Sequence, residues 1–236
     1  MKILVTSGCS FSDYRHNTWP NHLGSLLPEY TQNHLGLMSQ GNGIISRKLI
    51  YKVNQLLKTN SASELLVGIM WSGPNRHDFY NSFYPKNIKN QYDIIENPTG
   101  FVDNDKSWII FNHFWDTEHC QNYYRNYHDP VFGYVTTMEH ILRTQWFLEK
   151  HKIKYFMTTY TSEVFLEGYI KHPEVEYLYR QINFDTFLPI QGEYEWCRDF
   201  SKFEFPLKDD HHPSPEQHRE FTEQVIIPFL KKKQII

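Results

Sequence analysis

KILVTSGCSFS, residues 2–12, decides how the rest of the chain is read. Its first half is a continuous apolar run ending in small residues, the pattern of a short strand covered on both faces. Its second half sets a thiol and two hydroxyls, Cys9, Ser10 and Ser12, just behind Gly8. If residues 2–7 are a central strand, that cluster lies at the strand's carboxyl end, where α/β sheets build their sites.

Working outward, the same pattern recurs. ELLVGIMW (64–71) is a second continuous apolar run and IKYFMTTY (153–160) a third, so both read as buried strands. Helical spacing falls between them: WPNHLGSLL (19–27) carries Pro20 in its first turn, and residues 42–58 place Ile45, Leu49, Val53 and Leu56 on one face, with Asn42 as cap. Residues 136–152 do the same with Met138, Ile141, Leu142 and Leu148. Ser214, Pro215 and Gln217 then form a capping box before Phe221, Val225, Ile226 and Phe229, and Pro228 should kink or end that last helix. Strands alternating with helices imply an α/β fold, a mostly parallel sheet with helices on both faces. Two aromatic-rich segments, 79–134 and 161–200, break the alternation and are read as ordered excursions over one end of the sheet, within a single domain spanning 1–236.

Composition narrows the partners. With 40% hydrophobic and 22% charged residues the chain is globular, and a net charge of −3 offers no basic field for nucleic acid or an anionic membrane. The three cysteines, Cys9, Cys120 and Cys197, sit at scattered spacings that suit neither a disulfide framework nor a CxxC metal site. No apolar run reaches the roughly 20 residues of a spanning helix, and MKILV is too short for a leader's core, so a reducing, cytoplasmic setting is expected.

Four blocks carry residues able to do chemistry. In the first, a hydroxyl after the strand could act as nucleophile, although a turn whose serines bond their own backbone is the bland alternative. DDHHPSPEQH (209–218) is the second: Asp209 and His212 are three apart, close enough for the carboxylate to orient the imidazole while its other nitrogen faces a nucleophile. A solvated capping loop is the plainer reading, and a metal on His211 and His212 is disfavoured because adjacent histidines diverge and no ligand cluster supports them. The third, WSGPNRHD (71–78), brings Gly73 and the amide of Asn75 to the end of the second strand, where the amide could donate to an oxyanion or simply shape a turn. In the fourth, LMSQGNGIISRKL (37–49), Ser39 and Gly41 precede a helix whose first N–H groups can face an anionic oxygen or merely be capped.

All four blocks fall on loops at one side of one sheet. Together they resemble those of the SGNH (GDSL-type) hydrolases, in a Gly-Cys-Ser-Phe variant of the first block. The resemblance implies a flavodoxin-like three-layer α/β/α sandwich and hydrolysis of esters, often short acyl groups such as acetyl on carbohydrates or other small molecules. Carried over, it makes Ser10 the nucleophile, His212 the general base and Asp209 the acid that orients it. Asn75 becomes an oxyanion donor beside the Ser10 N–H, and either Ser39 or Gly41 supplies a further backbone N–H. It implies no metal or organic cofactor. Two departures stand out: Cys9 replaces the motif's Asp, and Arg76 replaces the acidic residue that commonly follows the Asn. Arg76, beside Gly73, puts a cation at the presumed cleft and is expected to bind substrate, favouring a carboxylate or phosphate. An acyltransferase on the same fold, a non-catalytic glycan-binding module and a phosphate-binding α/β domain are the rival readings, the last lacking a P-loop lysine.

Overall fold

The computed structural model of the protein describes residues 2–80, 108–114, 116, 118–207 and 210–236. Its elements, in chain order, are β1 (Lys2–Ser7), α1 (Trp19–Leu26), β2 (Tyr30–His34), α2 (Asn42–Leu56), β3 (Leu65–Trp71), β4 (Arg76–Tyr80) and β5 (Trp108–Asn112). There follow α3 (Glu118–Asn126), α4 (Pro130–Lys150), β6 (Lys154–Thr159), α5 (Glu167–Ile170), α6 (Pro173–Tyr179), α7 (Glu193–Phe200), α8 (Pro215–Phe221) and α9 (Ile227–Lys232). The main sheet has the order β2-β1-β3-β6 and is parallel throughout, with Ile3 opposite both Thr31 and Leu65, and Leu66 opposite Lys154. A single parallel bridge from Met157 to Phe187 continues it beyond β6, so the arrangement follows the 2-1-3-4-5 order of doubly wound folds with the fifth position reduced to one residue pair.

The continuous apolar runs have a simple cause. Successive side chains of a strand point to opposite faces, and here both faces are covered. Val5, Val67, Ile69 and Met157 pack on one side with Ile45, Leu49 and Val53 of α2 and Met138, Ile141 and Leu142 of α4. Leu4, Leu66, Met70 and Phe156 pack on the other with Trp19 and Leu23 of α1, Phe221 of α8 and Ile226. Each such fully buried aliphatic or aromatic side chain contributes about 1.5–3 kcal/mol.

Several local expectations shift. β2, YTQNH, is an edge strand with a mostly exposed or half-buried surface, so its sequence carries no apolar run. The cap of α2 is Gly41, and Asn42 is its first helical residue. α4 begins at Pro130 rather than near 136, because Asp129 caps it by accepting from Val131 N–H at 2.7 Å. Pro228 neither ends nor breaks the last helix. One π turn over Thr222–Ile226 lets Ile227 N–H bond Thr222 O, and α9 continues through the proline that lacks a donor.

The excursions divide differently from the expectation. Residues 76–80 and 108–112 form an antiparallel hairpin, Arg76 opposite Asn112, with α3 against it. Residues 161–200 instead contribute Val164, Val175, Leu178, Ile182 and Phe187 to the core around α4, while α7 adds Trp196 and Cys197 to the opposite layer. Among the described residues no helix is long and apolar enough to cross a membrane.

Candidate active site

The site begins where β1 stops. After Ser7 the chain makes one 3₁₀ turn, Ser10–Ser12, closed by Ser12 N–H on Cys9 O at 2.9 Å and Asp13 N–H on Ser10 O at 3.1 Å. Gly8 allows it: a Cβ there would lie 2.3 Å from Ser12 Oγ and 3.1 Å from Met70 O. The turn sorts its reactive groups by burial. The Cys9 thiol is fully buried in the core with Trp19 and Leu23, and Ser12 is fully buried with its Oγ accepting from Trp19 Nε1 at 2.9 Å. Only Ser10 of the three is not fully enclosed.

His212 meets it from the loop before α8. Its Nε2 lies 2.7 Å from Ser10 Oγ, and its Nδ1 lies 2.5 Å from Asp210 Oδ1. A carboxylate only accepts, so Nδ1 must carry the proton and Nε2 is left free to take one from the serine. The carboxylate on Nδ1 is therefore Asp210, one residue beyond the expected Asp209, which lies outside the described residues. Asp210 also accepts the His212 backbone N–H at 3.0 Å, a two-residue Asx turn that brings carboxylate and ring to the same side. That turn is the signal in DDHHP that the three-residue spacing missed. Partial burial alone would push the Asp210 carboxyl up, but the hydrogen bonds from the His212 ring and backbone outweigh it and hold it below the usual carboxylate range. Downstream, Ser214 accepts from Gln217 N–H at 3.2 Å while the Gln217 side chain accepts from Ser214 N–H at 2.9 Å, so the loop is anchored to the start of α8. The neighbouring His211 ring turns away to stand edge-on to Tyr194 at 5.0 Å. It lines a cavity of about 390 Å³ with Phe205, Leu207 and Asp210.

The other two blocks are tied to the first through backbone. Gly8 O accepts from Leu37 N–H at 3.3 Å and from the Gln40 amide at 2.8 Å, seating the 37–41 loop against the Ser10 turn. Ser39 holds a left-handed conformation, φ 64°. A Cβ on Gly41 would fall 2.6 Å from Arg76 O, so only glycine lets this loop touch the third block. Asn42, expected as a cap, serves as a clamp: its carbonyl accepts from Ser72 N–H at 2.7 Å and its amide donates to Ser72 O at 2.9 Å and Thr137 Oγ1 at 3.1 Å. The start of α2 is served instead by the Asp78 carboxylate, which accepts from Ile44 N–H at 3.0 Å and pairs with Arg47.

Asn75 occupies the turn between Gly73 and Arg76, closed by Arg76 N–H on Gly73 O at 3.2 Å. Its own carbonyl is held by the Tyr124 hydroxyl at 2.5 Å, while its side-chain amide makes no hydrogen bond to a described residue. The backbone N–H groups of Ser10, Ser39 and Gly41 likewise have no partner among the described residues. Thus the Ser10–His212 contact is direct, whereas Asn75, Gly41 and Ser39 reach the turn through the loop contacts above. Phe11 and Tyr160, which sequence reasoning did not single out, form one wall: Phe11 lies 5.0 Å from the His212 ring and stands edge-on to Tyr160 at 5.5 Å. Among the described residues no group of three or more His, Cys, Asp or Glu side chains could hold a metal ion.

No protein-family model matches this chain, and no curated protein matches it. A solved structure from Desulfitobacterium hafniense DCB-2, designated a lipolytic protein of the G-D-S-L family, is similar at 16% identity. The likeness covers 94% of this chain and 97% of that one with a TM-score of 0.48. At that score and identity it carries no argument about activity.

Proposed function

We propose that the protein is a serine ester hydrolase of the SGNH (GDSL) type that removes a short acyl group, acetyl foremost, from a carbohydrate or other small ester. The observation that carries this reading is the hydrogen-bonded series Asp210–His212–Ser10 at the carboxyl end of a parallel sheet. Ser10 Oγ attacks the ester carbonyl as His212 Nε2 takes its proton, and Asp210 stabilises the imidazolium that forms. The oxyanion is met by the Ser10 N–H and the Asn75 amide. The backbone N–H of Gly41 or of Ser39 adds a third donor. His212 then returns the proton to the leaving alcohol, and water repeats the sequence on the acyl-enzyme to release the acid and restore Ser10.

Hydrolysis of p-nitrophenyl acetate and labelling by a fluorophosphonate test the assignment. The wild-type protein should be labelled at Ser10, and Ser10→Ala should lose both labelling and turnover by roughly 10⁴–10⁶-fold. Undiminished hydrolysis by Ser10→Ala would end the assignment.

A further inference from the structure

We infer that Arg76 anchors a carboxylate on the ester that Ser10 attacks, which makes the protein selective for acid-bearing esters; the inference rests on the hydrolase reading above. Arg15, Arg47, Arg180 and Arg198 each pair with a carboxylate, whereas Arg76 has no carboxylate within ion-pair distance among the described residues. Its Nη1 is buried with no hydrogen-bond partner. A guanidinium nitrogen withdrawn from water and left unmatched is costly, and a ligand acceptor would remove that cost.

The position of the guanidinium says where the ligand would lie. Arg76 follows Asn75 directly, and its guanidinium carbon sits over the Tyr160 ring, 5.5 Å from the centroid. Tyr160 meets Phe11, and Phe11 meets His212, so two rings separate the cation from the imidazole. Beneath the guanidinium's ring partner is Gly73, where a Cβ would fall 3.0 Å from the Tyr160 hydroxyl and 2.9 Å from Glu163 Oε1. Any larger residue at 73 would fill that space. The Tyr160 ring gives the guanidinium a cation–π partner, and a planar fork suits two-point binding of a carboxylate. Glu163 is the nearby opposing charge. It forms no ion pair with Arg76 among the described residues, and both groups act on Tyr160.

The test uses a pair of esters differing in one charge, monomethyl succinate and dimethyl succinate, titrated calorimetrically into the Ser10→Ala protein, which binds without cleaving. The monoester should bind about tenfold more tightly or better, as for a charge-assisted pair. The difference should vanish in Ser10→Ala/Arg76→Gln and survive in part in Ser10→Ala/Arg76→Lys. Equal affinities, no binding of the monoester, or a preference that persists without Arg76 would overturn the inference. Hydrolysis of the same pair by the wild-type protein separates the two readings. A binding preference without hydrolysis of either ester would retire the hydrolase and keep the carboxylate site, while equally efficient hydrolysis of both would do the reverse.

Discussion

Among the described residues the protein holds two histidine–carboxylate pairs close together, one open to solvent and one enclosed. His212 and Asp210 lie on the surface, their side chains 49% and 39% exposed, with ring and carboxylate 2.5 Å apart. His218 on α8 and Glu193 on α7 are almost wholly enclosed, at 3% and 0%, with ring and carboxylate 2.7 Å apart. Phe11 touches both rings, at 5.0 Å and 6.3 Å. What differs is the second nitrogen. His212 presents Nε2 to Ser10, while among the described residues no hydroxyl bonds the other nitrogen of His218. Burial also changes the carboxylates: Asp210 is held low, whereas burial pushes Glu193 up against the pull of His218 and leaves its Oε2 without a partner. In this protein the open pair carries a hydroxyl on its second nitrogen, whereas the enclosed pair joins α7 to α8.

The sharpest way to break this contrast is through the acid. Asp210→Asn removes the acceptor that fixes the His212 tautomer and should lower kcat/KM for p-nitrophenyl acetate by roughly 10⁴-fold, while Asp209→Asn should change it less than about threefold. A larger loss in Asp209→Asn than in Asp210→Asn would assign the acid to Asp209 and undo the Asx-turn geometry.

Next in size comes the enclosed pair. His218→Ala strands the Glu193 carboxylate in the core and should destabilise the fold by about 3–5 kcal/mol in urea titrations. Activity per folded molecule should stay within a few fold. His212→Ala should do the converse, abolishing turnover with stability unchanged to about 0.5 kcal/mol. If His218→Ala stays folded yet silences hydrolysis, the division between the two pairs is wrong.

How far the sequence foretold these arrangements depends on what each residue has to do. β1, β3 and β6 were legible because strands buried on both faces need unbroken apolar runs, and α8 because its capping box is local. β2 was not: at the sheet edge its polar residues satisfy half their surface with water. The β4–β5 hairpin was hidden because its first strand begins with the Arg-His-Asp that also reads as a turn. At the site, Ser10 and His212 follow from blocks whose spacing is short and whose chemistry is narrow. Asp210 did not, since the two aspartates before His212 differ only in which backbone N–H the carboxylate accepts, a choice made by loop geometry. Asn42 misled for a related reason, its amide serving Ser72 just beyond the end of β3 rather than its own helix. The roles of Phe11 and Tyr160 depend on packing between β1, β6 and α8, and no local pattern announces them.

The smallest effect sharpens the contrast between open and enclosed imidazoles by titrating the enclosed ones. Burial lowers His34 and His77 to about 4, and burial together with Arg143 and Arg47 lowers His140 to about 3. In the unfolded chain each returns to about 6.5, so between these values the unfolded state binds more protons than the folded one. The stability these three contribute is therefore complete above pH 6.5 and declines as the pH falls from 6.5 toward 4, at up to about 1.4 kcal/mol per pH unit for each ring. The depressed Asp210 acts in the same direction only at lower pH, since its contribution is present above the usual carboxylate range and lost on acidification below it. Urea midpoints between pH 7 and 5 should fall with acid, and His140→Gln should flatten the slope by one ring's share. A midpoint independent of pH across that interval would mean that these imidazoles are as open to protons in the folded chain as in the unfolded one.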